Sequence, residues 1–279
     1  MPQTILRRTG FALCLLAAVA VTGYVGVLGV LYFTQERLIF HSKLLPANYR
    51  FAFDHDQRFE ELHVPVPGAS LDALLFEQAN PRGLMFFIHG NTGSLANWAA
   101  GLDFYRKINF DLFMFDFRGF GKSTGRISSE DQLVSDVRAA WDSIAPRFRG
   151  KPIVIYGRSL GTGLAARLAR EVAPRLLVLV TPYTSLAEIG QREYPLIPEF
   201  LNRYPLHTDR IIGDIKCPIL LIHGTDDTLI PLDDSERLQK LAHSPTELLV
   251  VNGAGHYDIH NFPAYLDGLA KRLIAVGRG

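Results

Sequence analysis

Six continuous apolar runs punctuate the chain, at 83–88, 111–115, 152–156, 176–180, 218–222 and 247–251. None alternates apolar with polar positions, which is how parallel strands covered on both faces read. Between them lie helical patterns at 95–107, 130–144, 161–172 and 233–242, and another follows at 261–276. Ahead of the first run, 59–66 and 70–76 read as two strands joined by a turn at Pro67-Gly68. Strand and helix in alternation over this length predict an α/β fold, a doubly wound and mostly parallel sheet. One connection, 181–216, far exceeds the usual ~4–6 residues and is expected to form a short lid. Its Tyr183, Tyr194, Phe200, Leu201 and Tyr204 offer either an apolar pocket wall or a crossover helix packed on the sheet.

The chain begins differently. Residues 11–33 form a run of 23 positions without a charge. At ~1.5 Å per helical residue that is long enough to cross a hydrocarbon core of roughly 30 Å. The expected organisation is a short tail at 1–10, a transmembrane anchor at 11–33, a membrane-proximal linker at 34–49 and one α/β domain at 50–279. A cleavable signal peptide competes with the anchor, because Ala18-Val19-Ala20 fits a small-x-small cleavage site. The apolar run continues thirteen residues beyond Ala20, which favours an uncleaved anchor. Arg7 and Arg8 on one flank face Arg37, Lys43 and Arg50 on the other, so the local charge count is nearly tied. A basic-then-apolar start resembles an export signal, and the domain is expected on the extracytoplasmic side, periplasmic in a bacterium.

Composition narrows the function classes. The 279 residues are 48% hydrophobic and 20% charged, with a formal net charge of +1, which gives no electrostatic footprint for nucleic acid. Cys14 lies in the apolar run and Cys217 is alone in the remainder, so no intradomain disulfide is expected. His41, His55, His63, His89, His207, His223, His243 and His260 show no clustered ligand spacing, and neither a metal nor a cofactor is expected.

The chemistry gathers at strand ends. Gly157-Arg158-Ser159-Leu160-Gly161 sits between the apolar run at 152–156 and a helical stretch, the pattern of a nucleophile elbow. Glycine is required two before and two after the serine, where a Cβ would strike the neighbouring strand and helix. A serine hydroxyl needs a base to take its proton and a carboxylate to hold that base in the right tautomer. Asp226 and Asp227 follow a late strand and His256 follows the last one, giving the chain order serine, acid, histidine. The N–H groups of Asn91, in the loop His89-Gly90-Asn91-Thr92-Gly93, and of Leu160 are the expected oxyanion donors.

With these motifs the chain resembles the α/β-hydrolase superfamily, in the branch carrying an N-terminal membrane segment, over roughly residues 38–273. The resemblance implies Ser159 as nucleophile, Asp227 rather than Asp226 as acid, and His256 as base. It also implies a structural His89, and a loop at 116–123 that shapes the base of the site without taking part in catalysis. The expected activity is hydrolysis of an ester, thioester or amide through an acyl-enzyme, and the anchor with the aromatic lid points to a lipid-like or acyl substrate. Peptidase-like relatives keep a serine peptidase as an alternative. A catalytically idle, membrane-tethered binding protein is the alternative of another class, and it has no need of Ser159, Asp227 and His256 together. Two decoys fall away. Gly121-Lys122-Ser123 lacks the glycine that a phosphate-binding loop needs at position 116, and the small residues Gly161, Gly163 and Ala166 belong to the elbow helix.

Overall fold

The computed structural model describes residues 2–53, 57–99, 104 and 107–277, with side chains from residue 10 onward. Among them, eight strands form the main sheet: β1 (Arg58–Val66), β2 (Ala69–Glu77), β3 (Leu84–Ile88), β4 (Asp111–Phe115), β5 (Ile153–Arg158), β6 (Leu176–Val180), β7 (Ile219–Gly224) and β8 (Thr246–Val251). Their spatial order is β1-β2-β4-β3-β5-β6-β7-β8. β1 and β2 pair antiparallel, β2 meets β4 antiparallel, and every pairing from β4 onward is parallel. The β1–β2 turn needs a left-handed residue, and Gly68 supplies it at φ +74°.

The helices are α1 (Pro2–Ile39), α2 (Leu95–Trp98), α3 (Glu130–Ile144), α4 (Gly161–Val172), α5 (Leu186–Glu193), α6 (Leu232–Leu241) and α7 (Pro263–Val276). Alternate residues of each central strand enter opposite layers. Leu84, Phe86 and Ile88 of β3 belong to the core layer that includes residues of α3, α4 and α6, whereas Met85 and Phe87 belong to the layer that includes residues of α2 and α7. That two-sided burial is why these strands read as unbroken apolar runs. Burying each such side chain contributes about 1.5–3 kcal/mol.

Helix ends follow local chemistry. Ser129 caps α3 by accepting from Gln132 N–H at 3.1 Å, and Ser185 caps α5 by accepting from Glu188 N–H at 3.0 Å. The last helix begins at Pro263 and not at 261, because proline suits the first helical position, where its missing N–H has no partner to lose. Part of the helix expected over 95–107 falls at 100–103 and 105–106, outside the described residues, as do His55 and the side chains of Arg7 and Arg8.

The long connection after β6 holds α5 and short 3₁₀ turns, and it docks on the end of α1. Gln35 donates to Leu201 C=O at 2.6 Å and accepts from Arg203 N–H at 2.9 Å, while Tyr204 OH donates to Glu36 at 2.7 Å. Beyond α1, His41–Ser42 pairs in parallel with Thr92–Gly93.

Candidate active site

β5 ends at Arg158 and α4 starts at Gly161, so the chain reverses within Ser159 and Leu160. Ser159 takes φ +50°, a left-handed conformation that costs on the order of 1–3 kcal/mol for a residue with a side chain. Surrounding bonds hold it there. Its N–H donates to Val180 C=O at 3.0 Å, and its C=O accepts from Thr162 N–H at 2.9 Å and Thr162 Oγ1 at 2.7 Å. A Cβ on Gly157 would lie 2.6 Å from Gly161 O and 2.7 Å from Ala165 Cβ, and one on Gly161 would lie 2.2 Å from Ile88 O. Both glycines are therefore demanded by backbone contact, one by the elbow helix and the other by β3.

His256 stands in the loop after β8, and its Nε2 is 2.9 Å from Ser159 Oγ. Its Nδ1 is 2.8 Å from Asp227 Oδ2. A carboxylate accepts only, so Nδ1 carries the proton, and the Nε2 lone pair is left to accept from the Ser159 hydroxyl. Asp227 has a fully buried side chain. Its Oδ1 accepts from Leu229 N–H at 3.0 Å and Ile230 N–H at 2.8 Å. Burial pushes its pKa up, but hydrogen bonds from His223, His256 and Ile230 outweigh burial and hold it well below the usual carboxylate range. Asp226 is exposed, and its carboxylate accepts from Thr225 Oγ1 at 2.9 Å, away from His256.

The acid and histidine loops are tied together. Asp226 N–H donates to Ala254 C=O at 2.9 Å, and a Cβ on Gly224 would lie 2.0 Å from that same oxygen. His223 is a positioning residue that sequence reasoning missed. Its Nε2 lies 2.8 Å from Ile230 O and 3.3 Å from Asp227 Oδ2, both acceptors, so Nε2 carries the proton and Nδ1 accepts from Ser235 Oγ at 2.6 Å. Its only sequence signal is a spacing of four residues from Asp227.

The loop after β3 brings Asn91 to the same place. A Cβ on Gly90 would lie 3.5 Å from Ser159 Cβ. Asn91 is gripped twice, its side chain donating to Ile39 C=O at 2.8 Å and its carbonyl accepting from His41 N–H at 2.8 Å. His89 lies beneath, with Nδ1 2.6 Å from Gly90 O and Nε2 3.4 Å from Asp116, whose carboxylate accepts from Leu95 N–H at 3.0 Å. Leu160 heads α4, one residue past the serine.

Ser159, Asn91 and His256 open onto a cavity of about 1010 Å³ walled by Phe87, Trp98 and Tyr265 among others. The expected lid wall is absent from its described lining. Tyr183 and Tyr204 are buried in the core instead, Tyr183 OH donating to Leu160 C=O at 2.9 Å, while Tyr194 and Phe200 are exposed. α2 and α7 supply the wall because they cover the sheet face on which the site opens.

Pairing of β1 with β2 sets His63 opposite Asp72 and brings both near Glu61, a clustering invisible in the sequence spacing. The Lys122 ammonium already bonds Glu61 and lies 3.9 Å from Asp72 Oδ2.

Residues 79–208 match the family described as Serine aminopeptidase, S33. An uncharacterized protein of Mycobacterium tuberculosis is 36% identical over 185 residues, which are 64% of this chain and 63% of that relative. The chain thus spans just under two thirds of its length. Alpha/beta hydrolase domain-containing protein 17B of Xenopus tropicalis is 32% identical over 206 residues, covering 71% of this chain and 69% of the relative. Among solved structures, an esterase of Pyrococcus furiosus superimposes with a TM-score of 0.68 at 20% identity, covering 86% of this chain and 97% of that one. A monoacylglycerol lipase of Paleococcus ferrophilus gives 0.56 at 20% identity, covering 74% and 99%. At these identities the likeness between structures concerns the fold.

Proposed function

The chain belongs to the α/β-hydrolase superfamily, and on that premise we propose that it is a membrane-anchored serine hydrolase acting on an ester, thioester or amide of a lipid-like acyl substrate. The observation that carries this reading is the unbroken relay from Ser159 Oγ to His256 at 2.9 Å and from His256 to Asp227 at 2.8 Å. His256 takes the Ser159 proton as the hydroxyl oxygen attacks the carbonyl, and Asp227 stabilises the resulting imidazolium. The N–H groups of Asn91 and Leu160 bind the oxyanion of the tetrahedral intermediate. Collapse expels the leaving group, which takes its proton from His256. Water, deprotonated by His256, then releases the acid and restores Ser159.

The anchor and the lid support a membrane-proximal substrate. By length and composition the Gly10–Ile39 part of α1 is able to cross a bilayer. Tyr24 OH donates to Leu196 C=O of the lid. Tyr24 precedes the end of the apolar run at Phe33 by nine residues, or about 13 Å of helix. The lid tip therefore runs beside the apolar helix, and Leu196 and Phe200, 80% and 83% exposed, are set to enter the same bilayer. In this reading the hydrolase domain is extracytoplasmic.

The matched family's description favours a second reading, an aminopeptidase. A free amino terminus calls for a carboxylate in the cavity. The described wall offers the exposed Asp267 against the cationic Arg158 and Lys107, which favours acyl substrates.

An acyl-length series of p-nitrophenyl esters, run beside aminoacyl p-nitroanilides, tests the reading. Ester turnover that disappears in Ser159→Ala is expected, whereas faster turnover of the anilides would give the aminopeptidase precedence.

A further inference from the structure

Arg158 fills the variable position before Ser159 and is only 8% exposed, yet it lines the cavity that holds the nucleophile. Its Nη2 donates to His256 C=O at 3.1 Å and Tyr257 C=O at 3.4 Å, and its Nη1 lies 3.5 Å from His260 Nδ1. All three acceptors are neutral. Because a guanidinium only donates, His260 must offer it a lone pair, and burial together with the Arg158 charge lowers the imidazole pKa accordingly.

No carboxylate among the described residues forms an ion pair with Arg158. Asp258 turns away to accept from Gly255 N–H at 2.7 Å, and Asp267 is an exposed residue of α7. The other buried guanidinium among the described residues is held differently. Arg118 is held by both oxygens of Asp136, at 2.6 and 2.9 Å. A buried cation without a counter-charge is costly, and carbonyl dipoles offset only part of that cost. A guanidinium has five N–H donors, and His256, Tyr257, His260 and the Tyr156 hydroxyl are its four described partners, so donor capacity remains for a ligand.

We infer that the cavity beside Ser159 contains an anion subsite, in which Arg158 pairs with a carboxylate, phosphate or sulfate carried by the substrate. The inference rests on the serine-hydrolase reading and adds the substrate's class, an acyl ester, thioester or amide with a negative group close to the scissile bond. Charge-assisted bonding to a planar oxyanion is what a guanidinium does better than any other side chain. The mainly apolar remainder of the wall takes the hydrocarbon part of the substrate.

The test uses the full-length protein in detergent micelles and two matched ester pairs. p-Nitrophenyl butyrate against p-nitrophenyl hemiglutarate varies the charge on the acyl side. Phenyl butyrate against p-carboxyphenyl butyrate varies it on the alcohol side. After correction for hydroxide-catalysed rates, the anionic member of one pair is expected to show a kcat/KM higher by roughly ten- to a hundredfold. The pair that responds identifies the side. Arg158→Gln, which keeps an amide donor for the His256 carbonyl, should bring that ratio close to one, and Arg158→Lys should restore part of it. The wild-type comparison stands even if a variant fails to fold. Equal or faster turnover of the neutral member in both pairs overturns the subsite and leaves the hydrolase standing. An unchanged ratio in Arg158→Gln overturns it too, and failure to hydrolyse any of the four esters overturns both readings.

Discussion

Gly161→Ala puts the elbow's geometry to a quantitative test. The new Cβ would lie 2.2 Å from Ile88 O and 2.6 Å from His89 O, where real Cβ contacts essentially never fall below 3.0 Å. Both obstacles are backbone oxygens, so no side chain can swing aside. The first turn of α4 must instead part from the end of β3 by about 1 Å, at a cost of about 1–3 kcal/mol. That movement separates Ser159 and Leu160 from Asn91, and a displacement of about 1 Å at reacting groups can cost 10²-fold in rate. Thermal unfolding and p-nitrophenyl ester kinetics should therefore report a lower melting temperature together with a kcat reduced by about two orders of magnitude. Gly190→Ala is the control. It lies inside α5 with its nearest neighbour, Asn202 Nδ2, 3.8 Å away, and alanine there should add about 0.5–1 kcal/mol of stability. Wild-type melting and turnover in Gly161→Ala would refute the packing argument.

Three further outcomes follow from the site. Asp227→Asn should lower kcat by about 10⁴-fold by destroying the His256 tautomer, while Asp226→Asn stays within a few-fold; the reverse order would reassign the acid. His223→Ala removes one donor from the buried Asp227 and should lower kcat for a neutral ester by roughly ten- to a hundredfold, and unchanged kcat would show that the Leu229 and Ile230 amides suffice. Burial, opposed by Lys122, raises the Asp72 pKa to about 8, so the folded chain holds a proton that the unfolded chain releases between the ordinary carboxylate range and that pH. The stability from this group is full at low pH and falls through the window, so thermal unfolding should show Asp72→Asn stabilising the fold more at pH 9 than at pH 5, by on the order of a few kcal/mol. An equal shift at both pH values would contradict it.

What the sequence discloses is local. The parallel strands are legible because burial on both faces leaves runs such as 176–180 wholly apolar, and the elbow because backbone collisions leave glycine alone at 157 and 161. Asp227 is separated from Asp226 by family resemblance, and the geometry sets it on His256. Features made by long-range contact are not legible. The pairing of His41–Ser42 with Thr92–Gly93, which grips the loop carrying Asn91, is too short to leave a pattern. Tyr183 and Tyr204 look like pocket aromatics in one dimension, and only the packing of α4 and α1 assigns them to the core. Arg158 reads as the free position of a motif until the cavity comes into view, where no carboxylate among the described residues pairs with it.

The proposed hydrolysis requires Ser159 to be a nucleophile activated by His256. Incubating the full-length protein with a fluorophosphonate and mapping the adduct by peptide mass spectrometry measures this directly. One adduct on Ser159 is expected, absent in Ser159→Ala and formed far more slowly in His256→Ala. An unlabelled wild type, or equal labelling of Ser159→Ala, would contradict the account.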